Sequence, residues 1–113
     1  MKFQDIINKI GASAVHKSSR FDSVELKNIV VSDMMSEVLT VDKEEIFLVT
    51  SLSSHQTLRT LNNIGGAGAI IVNGSPIQAG LKELAREFDI TLLKTAKPAF
   101  EVCVALGKLL EGK

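Results

Sequence analysis

Nine polar residues and one glycine, in three clusters, carry whatever chemistry this sequence offers. Thr50, Ser51, Ser53, Ser54 and His55 form the first, Asn73, Gly74 and Ser75 the second, and Thr95 and Lys97 the third. Each cluster follows a strand-like segment and precedes a segment of helical periodicity. Hydroxyls, an imidazole, an ammonium and the free N–H groups of helix starts would suit a small anion such as a phosphate or carboxylate. A plainer role is also open, because Ser53 or Ser54, Ser75 and Thr95 are the residue types that cap helices.

Other chemistries find less support. His16, His55 and Cys103 lack metal-ligand spacing, so no metal site is expected and no cofactor is implied. The pairs Glu44-Glu45 and Glu83-Glu87 fall on turns or helix faces, where carboxylates are solvated. Gly65-Gly66-Ala67-Gly68 follows a helix and opens a strand, the reverse of a dinucleotide-binding loop, and reads as a tight turn. No Gly-Lys-Ser/Thr phosphate loop is present. Catalysis with His55 as a base near Ser53 is a third possibility, with Asp33 the one carboxylate in range to orient the imidazole.

The elements that would position these clusters follow from periodicity. Phe3, Ile6, Ile7 and Ile10 recur at helical spacing before Gly11. Residues 13–23 break every apolar period and read as an exposed loop. Val24, Leu26, Ile29, Val30 and Val31 suggest extended chain. Ser32-Asp33 then offers a cap for a helix turning Met34, Met35, Val38 and Leu39 inward. Residues 46–50, 69–72 and 90–95 read as strands, and Ala69 to Val72 carries no polar residue on either face, as expected of a parallel strand covered on both sides. The helices between them bury Leu58, Leu61 and Ile64, and then Leu81, Leu84, Ala85 and Phe88. Pro76 suits the first turn of the second of these.

Alternating strands and helices imply a three-layer α/β/α domain with a mostly parallel sheet of four or five strands. The polar clusters should then lie along one edge, at the carboxyl ends of the strands. The last helix has two apolar stripes: Phe100, Cys103, Gly107 and Leu110 on one side, Val102, Leu106 and Leu109 on the other. One can pack on the sheet. Val102, Leu106 and Leu109 are the candidates for an interface with a second copy.

Length and charge bound the rest. The chain of 113 residues fits a single domain, an N-terminal helix and loop over 1–23 and a core over 24–110. Thirteen basic and thirteen acidic residues balance with no block of one sign, which argues against a nucleic-acid partner. No run reaches the ~20 apolar residues that span a bilayer, and the start lacks the core of a signal peptide. A cytoplasmic protein with no membrane partner is expected, and lone Cys103 is expected in the core.

The order of these segments resembles a known family. Val31-Ser32-Asp33-Met34-Met35-Ser36-Glu37-Val38-Leu39, Leu48-Val49-Thr50 with Ser54-His55-Gln56, Ala69-Ile70-Ile71-Val72-Asn73-Gly74, Ile90-Thr91-Leu92-Leu93-Lys94-Thr95 and Ala99-Phe100-Glu101 resemble the DRTGG domain over residues 24–110. The small stand-alone members are most alike. Residues 69–95 are also similar to the N-terminal domain of HPr kinase/phosphorylase. The family's Asp-Arg pair is replaced here by Ser51-Leu52, and its Thr-Gly-Gly by Val72-Asn73-Gly74. Gly74, and more loosely Thr50, His55 and Thr95, occupy family-like positions.

The resemblance implies the same three-layer fold. It also implies a regulatory role rather than a catalytic one, since such domains accompany CBS domains in some pyrophosphatases, occur in phosphotransacetylases, and stand alone. A non-catalytic module sensing a phosphorylated or nucleotide metabolite as a homodimer is the leading expectation. A protein-interaction module without a small-molecule ligand is the alternative.

Overall fold

The computed structural model describes residues 1–112. Its elements are α1 (Phe3–Ile10), β1 (Ser13–His16), β2 (Ile29–Val31), α2 (Met35–Val38), β3 (Phe47–Thr50), α3 (His55–Ile64), β4 (Gly68–Ile71), α4 (Leu81–Phe88), β5 (Thr91–Lys94) and α5 (Ala99–Glu111). They form one five-stranded sheet in the order β1-β5-β4-β3-β2. Strands β2 to β5 are parallel, each beside its successor, and β1 runs antiparallel along β5. The three-layer α/β/α architecture is the one the alternation of strands and helices implies.

Strand order decides which helices go where. A right-handed crossover between neighbouring parallel strands places its helix on one face, and stepping in one direction keeps every such helix on that face. Accordingly Met35, Val38, Leu58, Leu61, Leu81 and Ala85 from α2, α3 and α4 pack together on Leu48, Ala69, Ile71 and Leu92. The opposite face, with Phe47, Val49, Ile70 and Leu93, would be left in water. Phe3, Ile6 and Ile10 of α1 and Val102 and Leu106 of α5 cover it. Phe3 stacks on Phe21 with centroids 5.5 Å apart and meets Phe47 edge-on at 5.8 Å. Each such fully buried ring contributes roughly 1.5–3 kcal/mol of apolar burial.

Gly68 shows how closely these layers approach. A Cβ there would lie 2.7 Å from the Thr91 carbonyl oxygen and 2.8 Å from the Phe3 ring. Glycine lets β4 and β5 sit side by side under α1.

Several expectations are corrected. Residues 13–23 are not a free loop: residues 13–16 form β1, and Phe21 is buried. Ser18 N–H donates to Thr91 Oγ1 at 3.0 Å, and Ser19 N–H to Asp89 Oδ1 at 2.8 Å. These bonds hold a segment whose own apolar period is broken. In α2 only Met35 and Val38 turn inward, while Met34 and Leu39 are exposed, because the helix is a single turn and presents one side. Pro76 does not open a helix. The chain runs irregularly to Gly80, the N-cap of α4, which buries Leu81 and Ala85 and half-buries Leu84 and Phe88.

The apolar stripes of α5 are also assigned the other way round. Val102 and Leu106 are the stripe packed on the sheet, with Leu109 half-buried beside them, so these are not the outward residues. Phe100, Val104 and Leu110 face out instead. Cys103 is half-buried against the core. The α1 helix, the turn at residues 65–68 and the start of α5 after Pro98 agree with the sequence reading.

Candidate functional site

The crossovers after β3 and β4 leave toward the face that carries α3 and α4, whereas the chain after β5 leaves toward the face that carries α5. The exits of β4 and β5 therefore diverge. Such a switch point opens a crevice at the carboxyl ends of parallel strands. Here it is a cleft of about 500 Å³.

Three segments build it. Gly74, Ser75, Pro76 and Ile77 form the wall after β4. Lys94, Thr95, Ala96 and Lys97 form the wall after β5. Ile10, Gly11 and Ser13, from the turn between α1 and β1, close the third side.

The first two walls are laced together through the backbone. Asn73 and Gly74 both take left-handed conformations, with φ of 63° and 67°, which their residue types tolerate. That tight turn aims Asn73 N–H at the Lys97 carbonyl (2.9 Å) and Gly74 N–H at the Thr95 carbonyl (3.0 Å). Thr95 Oγ1 in turn accepts from Lys97 N–H at 3.2 Å. Asn73 Oδ1 accepts from Ala99 N–H, at the first turn of α5.

The loop behind the first wall is braced by the cluster around His55. Ser53 Oγ donates to the Pro76 carbonyl. His55 N–H donates to Gln78 Oε1 at 2.9 Å, and Gln78 N–H to the Ser53 carbonyl at 3.4 Å. His55 Nε2 lies 2.9 Å from the Ala79 carbonyl oxygen. A carbonyl only accepts, so Nε2 carries the proton. Ser54 sits at the N-cap of α3 without a side-chain capping bond. These side chains shape the cleft from behind and do not line it.

Thr50 and Ser51 belong to a third arrangement. Asp33 accepts from Thr50 Oγ1, Ser51 N–H and Ser51 Oγ, each at 2.7 Å. The Ser51 hydroxyl, then Thr50, then the Ser51 amide hold this carboxyl below its ordinary value. With Asn73 and Ala99 the group surrounds a smaller hollow of about 120 Å³. Asp33 thus ties β2's exit to β3's rather than orienting His55.

Of the ten candidates, Gly74, Ser75, Thr95 and Lys97 meet in the large cleft, and the other six support its rim or its neighbour. Sequence reasoning missed Ser13 and Lys94. Ser13 reaches the site only because β1 pairs with β5. Lys94 ends an apolar strand, a position that could have signalled an outward, functional charge.

The charge of the cleft is one-sided. Two lysines line it, no carboxylate does, and among the described residues neither Lys94 nor Lys97 is in an ion pair. Hydroxyls of Ser13, Ser75 and Thr95 add donors, while Ile10, Pro76 and Ile77 supply apolar surface. Among the described residues no three His, Cys, Asp or Glu side chains gather as a metal site would need.

No family model and no curated protein matches the sequence. A solved structure matches the fold: the CBS and DRTGG domains of the regulatory region of Clostridium perfringens pyrophosphatase, in complex with the activator diadenosine tetraphosphate. The TM-score is 0.72 at 18% identity, over 93% of this chain and 45% of that one. This chain thus spans less than half of that regulatory region. The likeness is one of fold and supports the DRTGG-like architecture. No helix among the described residues is long and apolar enough to cross a membrane.

Proposed function

We propose that this chain is a regulatory, ligand-sensing module whose cleft between the exits of β4 and β5 takes a nucleotide or another phosphorylated small molecule. The observation that carries this reading is the pair of lysines, Lys94 and Lys97, without an ion-pair partner among the described residues, in a cleft of about 500 Å³ that no described carboxylate lines. That volume lies within the ~300–1,000 Å³ of small-molecule sites. In this reading the two ammonium groups, with Ser13, Ser75 and Thr95, receive phosphate oxygens. Ile10, Pro76 and Ile77 receive the less polar part of the ligand.

The activator named for the pyrophosphatase region is a phosphorylated dinucleotide, which supports the same ligand class. The reading includes no catalysis, since the Ser53 hydroxyl and His55 Nε2 are both engaged by backbone carbonyls. A cytoplasmic location, a second copy as partner, and kinship of residues 69–95 with the HPr kinase/phosphorylase N-terminal domain belong to it as well. That kinship brings no ATP loop.

The test is thermal unfolding against mononucleotides, a dinucleoside tetraphosphate, sugar phosphates and inorganic phosphate. Saturating ligand at 100 times its Kd adds ~2.7 kcal/mol, which raises the Tm by several degrees in a domain this size. Lys94→Ala with Lys97→Ala should abolish the shift. A panel without any shift, or a shift kept by the double variant, overturns the site. The second reading, a protein-interaction module without a small-molecule ligand, draws on Phe100, which is 78% exposed.

A further inference from the structure

Helix α5 turns an apolar strip to solvent that none of the described residues covers. Beyond Phe100, Val104 is 40% exposed. Val104 and Ala105 floor a groove of about 260 Å³ beside Lys9 of α1, with Phe100 and Glu101 toward one end and Lys108 toward the other. An aromatic ring left in water beside such a floor is what a docking surface looks like before it is occupied.

The charges around the groove indicate the occupant. Among the described residues Lys9, Glu101 and Lys108 have no ion-pair partner. Glu101 and Lys108 stand on the same side of α5, about two turns and ~10 Å apart along the axis. An anionic membrane or an acidic peptide would meet Lys9 and Lys108 but leave Glu101 facing like charge. A surface with an acid at one end, a base at the other and an apolar centre is instead complementary to its own copy turned end for end.

We propose that this face docks on a second copy of the chain, the two α5 helices packing antiparallel across a two-fold axis at Val104. Glu101 of each copy then faces Lys108 of the other, Val104 meets its counterpart, and each Phe100 ring lies against the other helix. The proposal rests on the two-copy part of the reading above and not on occupancy of the cleft. One helix of ~20 Å offers less than the ~800 Å² per partner of a standard stable interface, so association is concentration-dependent.

The experiment is sedimentation of the full chain at low ionic strength, from micromolar to millimolar concentration, with circular dichroism to verify the fold of each variant. The wild-type mass should climb toward twice the monomer. Glu101→Lys alone and Lys108→Glu alone place like charges opposite one another and should each weaken association about tenfold or more. The double exchange should restore it, and Phe100→Ala should weaken it. A monomer throughout, single exchanges without effect, or a double exchange that fails to rescue would each overturn the proposal. A ligand-induced Tm shift in a monomeric chain would leave the cleft standing and remove only this interface.

Discussion

Asn73 Oδ1 accepts the N–H of Ala99 at 3.2 Å, so the turn that ends β4 caps the last helix rather than the next one. One residue thereby ties the two cleft walls together through its N–H to the Lys97 carbonyl and fixes the starting point of α5. Replacing it by alanine removes an N-terminal cap and places a Cβ in a left-handed conformation that alanine disfavours. Asn73→Ala should cost about 1–2 kcal/mol in urea unfolding. Asn73→Gly keeps the backbone at ease and should cost less. Equal losses would mean that the cap alone matters.

Gly68→Ala should destabilise by more than ~2 kcal/mol, because the added methyl meets a backbone carbonyl and a fully buried ring, neither of which has room to retreat. Gly107→Ala is the control. It lies within α5 with open space around the site, and the helix gains roughly 0.5–1 kcal/mol of propensity. Chemical unfolding of both variants should give opposite signs.

Two carboxyls make stability fall in acid. Asp33, through Ser51 and Thr50, and Asp89, through the Ser19 hydroxyl and amide, are held below the ordinary value of 3.8. Their stabilisation is complete above the unfolded value and is lost as pH falls through the lower folded one, a window below about pH 4. Asp33→Asn and Asp89→Asn should lower the Tm at neutral pH and flatten its decline between neutrality and pH 2. A parallel decline in variant and wild type would show that these contacts do not drive it.

His55→Ala separates support from contact. The ring braces the Ala79 carbonyl behind the cleft wall, so its loss should lower the Tm by a few degrees at ~1 kcal/mol. It should leave the ligand-induced shift largely in place, whereas Lys97→Ala should reduce that shift without lowering basal stability by more than ~0.5 kcal/mol. A His55 variant that folds normally but loses the ligand response would move the site toward α3.

These contrasts also mark what the sequence could disclose. β3, α3, β4 and β5 were legible because apolar runs buried on both faces alternate with helical periods. Strand β1 was not, since an antiparallel edge strand of Ser13, Ala14, Val15 and His16 is never fully buried and its partners lie at the far end of the chain. Pro76 pointed to a helix that starts only at Leu81, because a proline suited to a first turn suits an irregular wall equally. In α5 both stripes are apolar, so periodicity alone could not choose between Val102 and Phe100. The strand ends were found from the sequence, but which of their side chains meet was decided by where successive crossovers leave the sheet.

The antiparallel seam between β1 and β5 also sets an order of events. Ser18 bonds to Thr91, 73 residues further along, and α1 packs on α5. Helix α1 meets β3 through Phe3 and Phe47, but it also shares its core with Leu93 of β5 and Val102 and Leu106 of α5, more than 80 residues further along. The middle of the chain, where every strand neighbours its successor, can assemble as it appears. The cleft thus joins segments far apart in sequence, Ile10, Gly11 and Ser13 on one side and Lys94 to Lys97 on another, and it is complete only when the long-range pairing of β1 with β5 has formed.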